Sequence, residues 1–167
     1  MSSEAKKYPY PGIPAVSDGA GGVVWVETNI THGACAYPIT SSTTMGTGYE
    51  TEVSNGKKNL WGDVITFVQP ESEHSAATTC EGFALAGGRV TNFTSGQGIV
   101  YAMEQYYHAP GKFSTMVLEV GARALTKHAL NVHCGHDDFY AALDTGWTML
   151  MAKDAQQAAD QAIILRK

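Results

Sequence analysis

The sequence predicts an α/β fold, a three-layer open and mostly parallel sheet with helices on both faces. Two observations carry that prediction. Short apolar runs closed by Pro or Gly alternate with segments bearing helix start and stop signals, which is the pattern of βα units. The chain is also one domain long, with 167 residues, 44% of them apolar, enough to bury a core. Only 16% of residues are charged, against about 25% in an average soluble domain. That deficit leads us to expect that much of the surface is covered by something else.

Residues 1–17, rich in Pro, Lys and Ser, read as an extended N-terminal arm, and residues 18–167 as the folded domain. GGVVWVETNI (21–30) suits a strand by composition and a helix by context. ACAYPI (34–39) is a short apolar run ended by Pro38 and reads as a buried strand. Between Ser41 and Gly56, Met45, Tyr49 and Val53 recur at four-residue spacing, which favours a helix, and Asn55-Gly56 marks its closing turn. DVITFVQP (63–70) is a β-branched strand stopped by proline. Residues 71–88 open with acids and end in Gly87-Gly88, both helix-end signals. VTNFT (90–94) reads as a strand, 95–108 as a helix entered through glycines, and STMVLEVGA (114–122) as a strand. A His- and Asp-rich loop lies around 133–138. WTMLMA (147–152) reads as a strand and 154–167 as a helix, acidic at its start and basic at its end. No next strand follows that helix, so the domain is expected to be incomplete at its C-terminal end.

Several function classes are disfavoured. A net charge of −5 gives no basis for nucleic-acid binding. No apolar run approaches the roughly 18 residues of a membrane span, and the first residues lack the apolar core of a signal peptide. Cys35, Cys80 and Cys134 are odd in number and widely spaced, unlike a disulfide framework or a cysteine zinc site. A cytoplasmic location is therefore expected.

In an open parallel sheet, ligands bind where strands end and helices begin. Four such junctions carry polar groups: Thr40–Thr44, Glu71–His74, Ser95–Gly98 and Arg123. Glu73, in the first turn of a helix, can simply complement the helix dipole. Crowded with Glu71 and His74, an acid there could instead be desolvated and serve as a hydrogen-bonding acid or base. Arg123 fits a structural ion pair or a fork for a carboxylate or phosphate. Thr40 alone would be a helix cap. SGQG (95–98) lacks a GxGxxG pattern and a Walker lysine, and reads as close backbone packing. His128, His133, Cys134, His136, Asp137 and Asp138 are the right types for zinc, but the spacing is poor, so a polar active-site or interface loop is preferred. Tyr101, Tyr106, Tyr107 and Phe113 read as core or interface.

Five motifs then occur in a telling order: YPIT (37–40), QPESEHSAA (69–77), NFTSGQG (92–98), GARAL (121–125), and the GHDD loop with YAALDTGW (140–147). Together they resemble the first domain of pyruvate:ferredoxin oxidoreductase and related 2-oxoacid:acceptor oxidoreductases, from about Asp18 to the last residue. The resemblance implies a thiamine-diphosphate-binding fold of the pyrimidine-binding type. It places Glu73 where a carboxyl hydrogen-bonds N1′ of the cofactor's aminopyrimidine, favouring the basic imino tautomer. It places Thr40 and Arg123 where the 2-oxoacid is held, the arginine pairing with its carboxylate. Two departures are visible. Ser41 stands where many relatives carry proline, and CGHDD replaces the commoner GDHxD, keeping His136 and Asp138 in register.

The resemblance further implies oxidative decarboxylation of a 2-oxoacid to an acyl-CoA, with electrons passed through iron–sulfur clusters to ferredoxin or flavodoxin. The chain has no GDG…N motif for Mg2+ and diphosphate and no cysteine runs for [4Fe-4S] clusters. Those groups are expected on a diphosphate-binding partner domain or subunit, within a dimer or larger assembly, and no turnover is expected from this chain alone. The rival reading is a non-catalytic α/β binding or assembly subunit that keeps the fold.

Overall fold

The computed structural model describes residues 12–167. Residues 12–17 are exposed and irregular, while the rest of the expected arm lies outside the described residues. Asp18 starts the fold. Its carboxylate accepts from Gly21 N at 2.7 Å and caps α1 (Gly19–Ile30). GGVVWVETNI, ambiguous in sequence, is thus helical. Burial outweighs the weak helix propensity of its β-branched residues: Val23 and Val26 are both buried, Val23 in the cluster with Ala34, Met45 and Phe93.

The elements that follow are β1 (Gly33–Ala36), α2 (Thr43–Ser54), β2 (Thr66–Val68), α3 (Glu73–Leu85), β3 (Val90–Thr94), α4 (Gln97–Tyr101), α5 (Met103–His108), β4 (Met116–Val120), α6 (Asp137–Ala141) and α7 (Ala155–Ile164). The four strands form one parallel sheet in the order β2-β1-β3-β4. Side chains of alternate residues serve opposite faces. Ala34, Ala36 and Phe93 pack with Val23, Met45 and Tyr49 beneath α1 and α2, and Ala158 brings α7 to that face. Cys35 and Val90 point the other way, onto Cys80 and Ala84 of α3. On the same side Ile99 and Tyr106, from α4 and α5, meet Ala77 and Ala142. The three-layer α/β architecture is the one expected.

Small residues set the closest helix contact. A Cβ on Gly22 would stand 3.1 Å from Ala155 O and 3.6 Å from Ala159 Cβ, so α1 and the alanine-rich face of α7 approach almost backbone to backbone. All three cysteines are free, Cys35 and Cys80 buried and Cys134 exposed.

Three expectations need correction. The strand expected over 63–70 is only Thr66–Val68, and it lies at the sheet edge with Thr66 and Val68 exposed rather than buried. Lys58 and Val64 form an antiparallel bridge instead, drawing Asp63 and Val64 into a preceding loop. The helix expected over 95–108 breaks at Ala102 into α4 and α5. WTMLMA (147–152) joins no strand ladder. It is anchored by side chains: Trp147 Nε1 donates to Tyr106 O at 2.8 Å and stacks edge-on against that ring. With no strand beside it to accept and donate, an extended apolar run stays outside the sheet. No helix is long and apolar enough to cross a membrane among the described residues.

Candidate active site at the carboxyl edge of the sheet

Parallel strands deliver their following loops to one edge, and the expected site residues all lie there. Thr40 follows β1 and is exposed, Glu73 opens α3 after β2 and is half-buried, and Arg123 follows β4 and is buried. Thr40 and Arg123 are in direct contact, because Arg123 Nη1 donates to the Thr40 carbonyl oxygen. Arg123 Nη2 donates to Gln97 Oε1 at 2.9 Å. Arg123 Nε is buried with no partner. The fork is therefore held at two nitrogens by the protein's own oxygens and left unsatisfied at the third.

Glu73 stands apart from this network, across the start of α4. A Cβ on Gly98 would come 2.9 Å from Glu73 Cγ and collide with Thr94 Oγ1. Only glycine leaves room there for the carboxylate stem. Ser72 caps α3 by accepting from Ser75 N at 3.2 Å, so Glu73 occupies the first helical position. Of the crowded acids, Glu71 moves opposite to the expected direction. The Ser75 hydroxyl donates to it and lowers its pKa below the ordinary carboxylate value. Beneath this rim, Tyr106 Oη donates to Asn92 Oδ1 at 3.1 Å. Burial, then the negative charges of Cys80 and Glu73, push its phenol far above the usual range, so it remains a neutral donor.

The residue that organises the site carried no assigned role in the sequence reading. Asp138, fully buried, accepts through Oδ2 from Gly96 N at 2.8 Å and Arg123 N at 3.0 Å, and through Oδ1 from Phe139 N at 2.7 Å. One carboxylate thus ties the β3–α4 turn to the loop after β4. Gly96 has φ +49°, and a Cβ there would fall on Arg123 Nε, so the turn must be glycine. Gly121 is equally confined, its notional Cβ lying 2.9 Å from Ser41 C and 3.0 Å from Ser95 Oγ. Ser95 Oγ in turn accepts from Ser41 N at 3.2 Å. The signal for Asp138 was the acid pair ending the GHDD loop, and for Gln97 the SGQG turn.

The His128–Asp138 loop does not gather as a metal centre. No group of three or more potential ligands converges among the described residues. His133, Cys134 and His136 are exposed, while Asp137 accepts from Leu125 N at 3.0 Å. The loop's acids hold backbone.

Against known families, the model for pyruvate flavodoxin/ferredoxin oxidoreductase, thiamine-diphosphate-binding, matches residues 29–167. The chain belongs to this family. Among curated relatives it is 37% identical to a probable pyruvate-flavodoxin oxidoreductase of Escherichia coli (strain K12), over 88% of this chain and 12% of that protein. It is 35% identical to the mitochondrial pyruvate dehydrogenase [NADP(+)] of Euglena gracilis, over 88% of this chain and 8% of that protein. A solved 2-oxoglutarate:ferredoxin oxidoreductase from Magnetococcus marinus superposes with a TM-score of 0.76, covering 90% of this chain and 26% of that one at 20% identity. The fold is therefore that of an oxidoreductase domain, and the chain spans a small fraction of the relatives it matches.

Proposed function

We propose that this chain is the pyrimidine-binding part of a thiamine-diphosphate-dependent 2-oxoacid:ferredoxin or flavodoxin oxidoreductase acting on a pyruvate-like substrate. The observation that carries the reading is the contact of Arg123 with Thr40, on the same carboxyl edge of the sheet as Glu73. The residues suit the cofactor. Glu73 has no hydrogen-bond partner among the described residues, is half-buried, and has Gly98 cleared beside it. Thiamine diphosphate, when bound, supplies a carbon nucleophile and an electron sink.

Glu73 holds a proton against the pyrimidine ring nitrogen and so sets its tautomer. Arg123 orients the substrate by its carboxylate, which takes the place of the Gln97 amide or the Thr40 carbonyl on the guanidinium fork. Thr40 is exposed and in contact with the arginine through its carbonyl oxygen, and its hydroxyl donates to the same substrate. Asp138 and Gly96 fix the arginine's backbone. In the whole enzyme the 2-oxoacid loses CO2, its acyl group passes to coenzyme A, and two electrons leave to ferredoxin or flavodoxin. Mg2+, the [4Fe-4S] clusters and the diphosphate-binding half belong to other domains or subunits of a dimeric or larger cytoplasmic assembly.

The test is Glu73→Gln in the full-length enzyme. Oxidative decarboxylation should fall on the order of 10²-fold or more, as for loss of a positioned acid–base group. A rate within a few-fold of the parent overturns the assignment. Arg123→Gln should raise KM for the 2-oxoacid more than it lowers kcat.

A further inference from the structure

Each polar side chain of β3 is bonded within the fold except one. Thr91 Oγ1 donates to Val117 O at 3.3 Å. Asn92 donates to Cys35 O at 2.8 Å and accepts from Tyr106 Oη at 3.1 Å. Thr94 Oγ1 is enclosed without a partner, in a residue only 1% exposed. Its backbone cannot turn to find one, because the Thr94 carbonyl accepts from Gly121 N at 3.1 Å and the residue pairs with Val120 of β4. A buried hydroxyl without a partner costs stability, and a valine would fill the same place without that cost.

The hydroxyl borders the same small space as the stem of Glu73. A Cβ on Gly98 would meet Thr94 Oγ1 first and Glu73 Cγ next, at 2.9 Å. That space stays open because position 98 carries no Cβ, so rotation about the Glu73 side-chain bonds can bring its carboxylate to the hydroxyl. Glu73 is half-buried and bonded to no other group among the described residues, so the rotation breaks no hydrogen bond. Asn92 and Thr94 share one face of β3. The charge of Glu73 is felt on that face, at the Tyr106 hydroxyl bonded to Asn92. An unbonded hydroxyl and an unbonded carboxylate thus adjoin one gap.

We propose that Thr94 is a positioning residue for Glu73: its hydroxyl donates to one carboxylate oxygen and leaves the other to face the pyrimidine ring nitrogen. The inference rests on the function proposed above and adds the group that orients its acid. A half-buried carboxylate at the start of a helix has rotamers that carry it into solvent. One hydrogen bond from a rigid strand selects against them, and positioning of this kind is what a site needs from its supporting groups. Both orphaned groups are then satisfied at once. The Arg123 fork is bonded elsewhere, to Thr40 and Gln97. Thr94 should therefore act on the cofactor end of the site and leave the grip on the 2-oxoacid alone.

Thr94→Val and Thr94→Ser in the full-length enzyme test this through two measurements. One is the dissociation constant of thiamine diphosphate for the cofactor-depleted enzyme, by titration calorimetry with Mg2+ present. The other is the steady-state rate with the 2-oxoacid. Thr94→Val should raise the dissociation constant and lower kcat by about tenfold each, as for loss of a hydrogen bond to a charged group, with KM within about twofold of the parent. Thr94→Ser keeps the hydroxyl and should stay close to the parent in both. In a Glu73→Ala background, Thr94→Val should change neither quantity by more than about twofold. Parent-like values in Thr94→Val, equal damage in Thr94→Ser, a raised KM, or full additivity with Glu73→Ala each overturn the proposal. A damaged Glu73→Gln beside a parent-like Thr94→Val removes Thr94 alone, whereas a parent-like Glu73→Gln removes the underlying reading and this proposal with it. Should Thr94→Val not fold, Thr94→Ala set against Thr94→Ser makes the same comparison, since that pair differs only in the hydroxyl.

Discussion

Two buried charge clusters flank the carboxyl half of β4, and they are satisfied in opposite ways. At the active-site edge, Asp138 takes backbone N–H groups from Gly96, Arg123 and Phe139, and both its oxygens are used. Beneath α7, the Arg166 guanidinium bonds Glu27 Oε2 at 2.5 Å and Val90 O at 3.0 Å, with Glu119 close by. There Glu27 Oε1, Glu119 Oε1 and Arg166 Nε remain enclosed without partners. Backbone dipoles solvate the first carboxylate without introducing a second charge. The second cluster relies on one cation to offset two acids, at a desolvation cost for each. The first arrangement fixes geometry, which a site requires. The second fixes where a helix docks and leaves the charges poorly satisfied.

That contrast is broken most severely by removing the one cation. Arg166→Ala leaves Glu27 buried and unpaired, and should lower the opening free energy of α7 by about 3–5 kcal/mol, read by hydrogen exchange in the full-length enzyme. Replacing Glu27, Glu119 and Arg166 together by apolar residues of similar volume should be near neutral or stabilising, the usual result for a buried ionic cluster. If the triple replacement were as damaging as Arg166→Ala, the cluster would be contributing net stability and the contrast would fail.

The dipole-solvated carboxylate should respond differently. Asp138→Asn keeps the shape but replaces one acceptor oxygen by a donor facing N–H groups. A loss of about 1.5–3 kcal/mol is expected, the range for a hydrogen bond to a charged group. Because Asp138 bonds Arg123 N and Gly96 N, the effect should appear as a raised KM for the 2-oxoacid, with less change in kcat. An unchanged KM would show that the arginine is positioned without it.

Much of this was legible in the sequence, and the exceptions have physical causes. The fold class followed from apolar runs alternating with capped helices, and VTNFT and 71–88 appear where their end signals placed them. GGVVWVETNI could not be decided locally, since its helical state depends on the close approach of Gly22 to α7, a contact more than 130 positions away. WTMLMA misled because composition describes what a strand needs, while the ladder depends on a neighbour. At the candidate site, motif order pointed to Thr40, Glu73 and Arg123, which the fold brings to one edge of the sheet. Asp138 was passed over because its partners are backbone amides, which leave no trace in side-chain spacing. Arg166 and Glu27 were invisible as a pair for the same reason that α1 was, being joined only by the docking of α7.

The subtlest test of the contrast is pH. Burial, together with the negative charge of Glu27, pushes Glu119 from its ordinary 4.5 up to about 8, against the pull of Arg166. Burial raises Glu27 as well, with Arg166 opposing. A carboxyl raised in this way binds its proton more tightly in the folded state than in the unfolded one. Its contribution is fully present below about pH 4.5 and is lost as the pH climbs through 8. The α7 docking should therefore loosen between about pH 4.5 and 8, by at most about tenfold in the opening constant per pH unit for one proton. Glu119→Gln, which mimics the protonated acid, should flatten that dependence and leave α7 firmer than in the parent at pH 8.5. Hydrogen exchange corrected for intrinsic rates measures both.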